Sequence, residues 1–247
     1  MWRRIELRTI LCKKFHTISR IDFSPVLACK TLAYPSPDVL QTIKEIGDAC
    51  SGIGFLYLMN TGEVQRLGHK AFREAKRFFE QPISCKQKLL TNNGQRGYYQ
   101  YVSAAGLQDS IEAFNMGNPD CSATTLRAPY FRQVYGPRND HVWKGLLSSD
   151  DNRWQHPPDG FQTTLEEYYR ECDNTCKLVL QCLSIYLGLP YDFFHSLHSR
   201  RDHSLELKFY PARQFSATQN IAIVERLPVH TDLSSVTCLQ QDTQAGH

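Results

Sequence analysis

The run Leu227-Pro228-Val229-His230-Thr231-Asp232, continuing as Leu233-Ser234-Ser235-Val236-Thr237-Cys238-Leu239-Gln240-Gln241-Asp242, decides how this chain is read. As a β-strand it would present His230 and Asp232 on one face, because strand side chains alternate with a period of two. An imidazole beside a carboxylate supplies two corners of the 2-His-1-carboxylate facial triad that holds non-haem Fe(II). Spacing by itself carries little. With 9 histidines and 25 acidic residues among 247, about one such pair arises by chance, and the chain contains one. The flanking sequence has to supply the rest.

Composition sets the frame. A chain of 247 residues, 41% hydrophobic and 21% charged, is an ordinary globular protein with room for one large domain or two smaller ones. A net charge of +3 is too mild to point to nucleic acid. The 9 cysteines, an odd number without C-x-x-C pairs, fit neither a disulfide framework nor a zinc ribbon, and they suit a reducing compartment. No apolar run approaches the roughly 20 residues that span a bilayer. Residues 1–20 carry Arg3, Arg4, Arg8, Lys13, Lys14 and Arg20 against one acid, Glu6. This reads as a basic N-terminus on a cytoplasmic protein, with a mitochondrial presequence as the alternative. Oligomeric state leaves no mark on the sequence.

Upstream, Ile21-Asp22-Phe23 suits a first strand. Ser36-Pro37 starts a helix, with Ser as N-cap and Pro at its first position, and Val39, Leu40, Ile43 and Ile46 recur on one face until about Ser51-Gly52. Gly54-Phe55-Leu56-Tyr57-Leu58-Met59 reads as a buried strand and Asn60-Thr61-Gly62 as a turn. A second helix is predicted from about Glu63 to Glu80, with Leu67, Ala71, Ala75, Phe78 and Phe79 inward, and Pro82 ends it. Gly94 to Tyr99 is a loop entering an extended piece, and Asp109 to Phe114 resumes regular structure. Pro129 to Pro158 is loop-like, the best candidate for a boundary. The longest helix carries Phe161, Leu165, Tyr168, Tyr169, Cys172, Cys176, Val179, Leu183 and Tyr186 at 3–4 spacing, closed by Gly188-Leu189-Pro190. Cys172, Cys176 and Cys182 read as small hydrophobes on that stripe rather than a metal cluster. Leu205 to Tyr210 alternates as a strand, with Leu205, Leu207 and Phe209 on one face and Glu206, Lys208 and Tyr210 on the other, and Pro211 ends it.

In this order the pieces resemble the non-haem Fe(II), 2-oxoglutarate-dependent oxygenases, in their isopenicillin N synthase-like branch. Gly54 to Gly62 is similar to that family's G-F-F-Y-hydrophobic-x-N-H-G start. The helix ending Ala75-Lys76-Arg77-Phe78-Phe79, the Arg96-Gly97-Tyr98 loop, Asp109 to Phe114, Asn152-Arg153-Trp154 and the helix closing on Leu187-Gly188-Leu189 follow its N-terminal region. Leu205 to Pro211 resembles the strand ending in Tyr-Pro, and His230 to Asp242 the iron-binding stretch. The likeness covers residues 20 to 246.

The resemblance implies an α+β chain: a double-stranded β-helix (jelly-roll) core, incomplete at the C-terminus, preceded by a helical and mixed lead-in region. Residues 1–20 would be the basic segment, 21–135 the N-terminal dioxygenase-type region, 136–200 a linker and the long helix, and 201–247 the first part of the β-helix domain. His230 and Asp232 would be metal ligands, and Tyr210 would donate its hydroxyl to the distal carboxylate of 2-oxoglutarate, unless it is an aromatic satisfied at a sheet edge. Lys208 stands where plant members often have Asn. The implied cofactors are Fe(II), 2-oxoglutarate as cosubstrate and O2, and the implied partner is a small-molecule substrate. The family's second histidine and its Arg-x-Ser follow the Asp by several tens of residues and have no match here. His247, only 15 positions past Asp232, stands where the family has Leu. The expectation is therefore a truncated oxygenase, inactive or nearly so as written. A branch oxidase that does not use 2-oxoglutarate and a non-catalytic fragment acting as an interaction protein stand as alternatives.

Overall fold

The structure, a computed structural model, describes residues 18–90, 96–103, 106–121, 129, 132–133, 152–199, 201–211, 230, 232 and 234–241. The expectations for residues 1–17, for Gly94 and Gln95, for His247 and for most of the loop-like stretch between 134 and 151 lie outside them. In chain order the elements are β1 (Ser19–Asp22), α1 (Ser24–Ala28), α2 (Pro37–Ser51), β2 (Leu56–Met59), α3 (Glu63–Phe79), α4 (Ile83–Lys86), β3 (Gly97–Ser103), β4 (Gly106–Met116), α5 (Phe161–Tyr186), α6 (Phe193–Leu197) and β5 (Leu205–Phe209).

α5 is the spine, and its length follows from its sequence. A stripe at helical spacing buries Phe161, Leu165, Tyr168 and Tyr169 in its first half and Val179 and Cys182 in its second. Gly188, at φ +71°, terminates it: Gly188 N–H donates to the Ile185 carbonyl and Leu189 N–H to that of Ser184, each at 2.9 Å. A left-handed residue there costs glycine nothing. Each half of α5 faces a different core. The first packs on α3 and the second on α2.

α3 buries Val64, Leu67, Ala71, Ala75, Phe78 and Phe79, a repeat of three and four that leaves Arg66, Arg73, Lys76 and Arg77 outside. Glu63 in its first turn and Lys76 and Arg77 in its last complement the helix dipole. Phe78 is fully buried, stacked on Phe161 at 4.6 Å between ring centroids and edge-on to Phe114 at 5.5 Å and Tyr98 at 6.0 Å. Such pairs add roughly 0.5–1.5 kcal/mol each beyond area burial. The antiparallel sheet β3-β4-β5 closes this first core with Tyr98, Phe114 and Met116, and Leu205, Leu207 and Phe209 pack on it from β5. The predicted alternation in β5 is therefore observed. The second core joins Ile21 and Phe23 to Val26, Leu32, Val39, Ile43 and Ile46 and the end of α5, beside the parallel pair β1-β2.

Three expectations are corrected. Leu40 is an exposed residue of α2, because the buried face runs through Val39, Thr42, Ile43 and Ile46. β2 is half-buried rather than buried, with Tyr57 outward: only β1 pairs with it among the described residues, so one edge and one face stay open. None of the described residues in 230–241 is in a strand. A strand requires a neighbour to take its backbone hydrogen bonds, and this stretch instead lies against helices α3 and α5.

Several polar groups inside the first core are paired, although the buried Thr164 Oγ1 is not. Lys86, 5% exposed, donates to Glu112 Oε2 at 2.5 Å and to the Phe79 carbonyl at 2.9 Å, and the Tyr98 hydroxyl donates to the same carboxylate at 2.7 Å. Arg96, also buried, reaches Asn115 Oδ1 at 2.7 Å and Ser204 Oγ at 3.0 Å. The Asn152 side chain bridges Gly117 and Asn118, accepting from Gly117 N–H at 2.7 Å and donating to both carbonyls. Gly97 sits at φ +105°, where a Cβ would meet the Leu89 carbonyl oxygen at 2.4 Å. The Arg96-Gly97-Tyr98 and Asn152-Arg153-Trp154 runs thus hold the sheet to the segments around it.

Candidate functional site

His230 and Asp232 lie side by side: His230 Nε2 is 3.3 Å from Asp232 Oδ1, and both side chains are about half exposed, at 53% and 51%. The opposite carboxylate oxygen is held. Thr237 Oγ1 donates to Asp232 Oδ2 at 2.5 Å and shares a 2.8 Å contact with Ser234 Oγ. Among the described residues no group of three or more His, Cys, Asp or Glu side chains is disposed to hold a metal ion. Tyr210 stands just past β5, 37% exposed. Beside it on the strand, Lys208 Nζ pairs with Glu206 at 3.0 Å, and Glu206 also accepts from the Tyr99 hydroxyl.

Residues 236–240 anchor this half-site to the body of the protein. Val236 packs on the second core, and Gln240 Oε1 accepts from the Tyr168 hydroxyl at 2.8 Å. Between them stands Cys238, an exposed residue. Burial pushes the Tyr168 phenol well above its ordinary range, with Cys172 adding to the effect. Hydrogen bonds from Cys172 and then Cys176 hold the Cys238 thiol below the ordinary thiol range, against the opposing effect of burial. The same bond to Cys238 drives Cys172 upward.

No local motif marks out Thr237, Cys238 or Gln240. One signal was available: Val236, Cys238 and Gln240 alternate with a period of two, which is how an extended segment lays one face on a surface.

Residues 18–139 match the family described as non-haem dioxygenase in morphine synthesis N-terminal. The 2-oxoglutarate-dependent dioxygenase frbA of Dothideomycetidae sp. (strain 11243) is 29% identical over 213 residues, 83% of this chain and 59% of frbA. The chain is similar to 2-oxoglutarate-dependent, non-haem dioxygenases. Two solved structures share its fold. A 2OG-Fe(II) oxygenase family protein from Caulobacter crescentus superposes with a TM-score of 0.60 at 24% identity, over 81% of this chain and 58% of that one. A Neurospora crassa protein in complex with alpha-KG and thymine gives 0.56 at 21%, over 78% and 55%. The chain spans about three-fifths of the length of frbA.

Proposed function

We propose that this chain carries the first two iron ligands, His230 and Asp232, of an Fe(II)- and 2-oxoglutarate-dependent dioxygenase that hydroxylates or otherwise oxidises a small molecule. The observation behind this reading is the 3.3 Å separation of His230 Nε2 and Asp232 Oδ1. Two adjacent ligands on bonds of about 2.1 Å at right angles sit about 3.0 Å apart, so the pair accepts one ion with little movement. Both side chains are open to solvent, so an ion can reach them.

When bound, iron with 2-oxoglutarate supplies the activation of O2. The chain's own residues contribute position. His230 offers its Nε2 lone pair, and Asp232 offers Oδ1 because Thr237 occupies Oδ2. Tyr210, just past the end of β5, is proposed to donate its hydroxyl to the distal carboxylate of the cosubstrate. The double-stranded β-helix, with residues 201–247 as its first part, belongs to the same proposal. So does a small-molecule substrate, for which the Neurospora crassa structure with thymine is a precedent at the level of fold.

The test is turnover by the natural protein, loaded anaerobically with Fe(II) and supplied with 2-oxoglutarate, ascorbate and O2. Any succinate formed should fall to background in His230→Ala and in Asp232→Ala. Succinate release unchanged in both variants would remove the pair from the site.

A further inference from the structure

The two faces of the sheet β3-β4-β5 differ in content. One turns Tyr98, Phe114, Leu205, Leu207 and Phe209 into the first core. Alternation places Tyr99, Ala113, Glu206 and Lys208 on the other, with Tyr210 at the next alternate position, just past β5. The register makes a row there: Tyr99 lies opposite Ala113, and Ala113 opposite Lys208. β3 and β5 are two strand spacings apart, about 9.5 Å, and Tyr99 bridges that gap. Its hydroxyl donates to Glu206 Oε1 over the small side chain of Ala113, which is fully buried. Lys208 Nζ holds the other oxygen, Oε2, at 3.0 Å, and solvent reaches both charged side chains, Glu206 at 28% and Lys208 at 33% exposure. The two charges are held unequally. Glu206 is braced by a hydroxyl from across the sheet, whereas Lys208 meets it on a flexible four-carbon stem.

We propose that Glu206 and Lys208 form a receptor for the ammonium and carboxylate of an α-amino acid, so that the small molecule taken by this chain is an amino acid. Lys208 swings off Glu206, the ligand's ammonium takes its place at Oε2, and the ligand's carboxylate takes the released Nζ. One internal ion pair becomes two intermolecular ones, with no charge left over. A simple acid would strand Glu206 beside a second carboxylate, and a simple amine would strand Lys208. Leaving a charged partner unmatched weakens binding by about 10-fold or more, which selects the zwitterion. Tyr99 keeps Glu206 in place during the exchange. Tyr210, two positions beyond Lys208, sets the receptor beside the proposed cosubstrate contact. That the bound amino acid is the molecule oxidised rests on the oxygenase reading; the binding itself does not.

The natural protein, without added iron, is screened by saturation-transfer NMR against the common L-amino acids. At least one should bind with a Kd of about 1 mM or tighter. Its analogues lacking the amine or lacking the carboxylate should bind about 10-fold more weakly or worse. Glu206→Gln and Lys208→Met should each cost a similar factor, and Tyr99→Phe several-fold. The exchanged variant, Glu206→Lys with Lys208→Glu, keeps an ion pair and should melt as the natural chain does, yet lose binding; that separates recognition from a purely structural pair. His230→Ala should bind as the natural protein does. No binder in the set, an analogue acid or amine held as tightly as the amino acid, or full affinity in the exchanged variant would overturn the proposal. An amino acid that binds as described without promoting succinate release would uphold the receptor and overturn the oxygenase reading instead.

Discussion

The Tyr186 ring of α5 lies directly over Gly47 of α2: a Cβ built on Gly47 would stand 2.1 Å from two ring carbons. Tyr186 is held in place by its hydroxyl, which donates to Asp48 Oδ1 at 3.0 Å. Alanine in a helix ordinarily gains about 1 kcal/mol over glycine. Here the methyl forces the ring aside, and overpacking of this kind costs about 1–3 kcal/mol. Gly47→Ala should therefore destabilise, lowering Tm by several degrees. In a Tyr186→Ala background the same change should stabilise, so a double-mutant cycle by thermal melting reads the contact directly. Additive effects would show that the ring moves away freely.

The Lys86–Glu112 pair should behave as a buried ion pair. Lys86→Met leaves the Glu112 carboxylate enclosed, with the Tyr98 hydroxyl still bonded to it. Losing one member of such a pair costs about 3–5 kcal/mol. Glu112→Gln added to Lys86→Met removes the stranded charge while keeping an acceptor for Tyr98, and should recover part of that loss. Urea denaturation of the natural protein and the two variants gives the comparison. Equal midpoints for the single and double variants would mean that the charge is solvated.

Asp173 ties α5 to the chain entering β5. It meets Arg201 Nη2 at 2.5 Å and His203 Nε2 at 3.0 Å, and its own side chain is only 9% exposed. Burial pushes its carboxyl upward, but hydrogen bonds from His203 and Arg201 outweigh that, and the net direction is below the ordinary 3.8. A carboxylate with a lowered folded value stabilises above its unfolded value and stops doing so as pH falls through the folded one. The stability difference between the natural chain and Asp173→Asn should thus be constant at neutral pH, at roughly 1–3 kcal/mol, and shrink below about pH 4. A difference that persists to pH 2 would show that the carboxylate is not the source.

The sequence made the helices legible and left the half-site's support hidden, for a physical reason. Phe161 to Tyr186 repeats at a helical period for 26 residues, so burial and local structure point the same way. The same is true of α3. Leu40 misleads because an apolar residue beside a buried stripe is as common outside as inside. His230 and Asp232 are adjacent in space whether or not the segment is a strand, since two residues separated by one can meet in an extended or a turning backbone. What the sequence does not display is the long-range partner. Gln240 is 72 positions from Tyr168, and no local pattern connects them. The cysteines on α5 do read as core hydrophobes, and Cys182 is one, with its thiol pushed up to about 12 by burial.

Thr237 gives the half-site a test of its own. Its hydroxyl donates to Asp232 Oδ2 at 2.5 Å and leaves Oδ1 beside His230. If the pair holds a metal, the hydroxyl acts by fixing which oxygen faces the ion, and removing such a partner weakens affinity by about 10-fold in an exposed setting. Thr237→Val keeps the shape and removes the donor; Thr237→Ser restores the donor without the methyl. In the natural protein, Mn(II) titration followed by electron paramagnetic resonance should give a weaker Kd for the valine variant and recovery for serine, while Asp232→Ala should abolish binding at this site. A valine variant that binds as the natural protein does would show that Asp232 needs no such restraint. Recovery is the decisive arm, because a general loss of folding would not be reversed by serine.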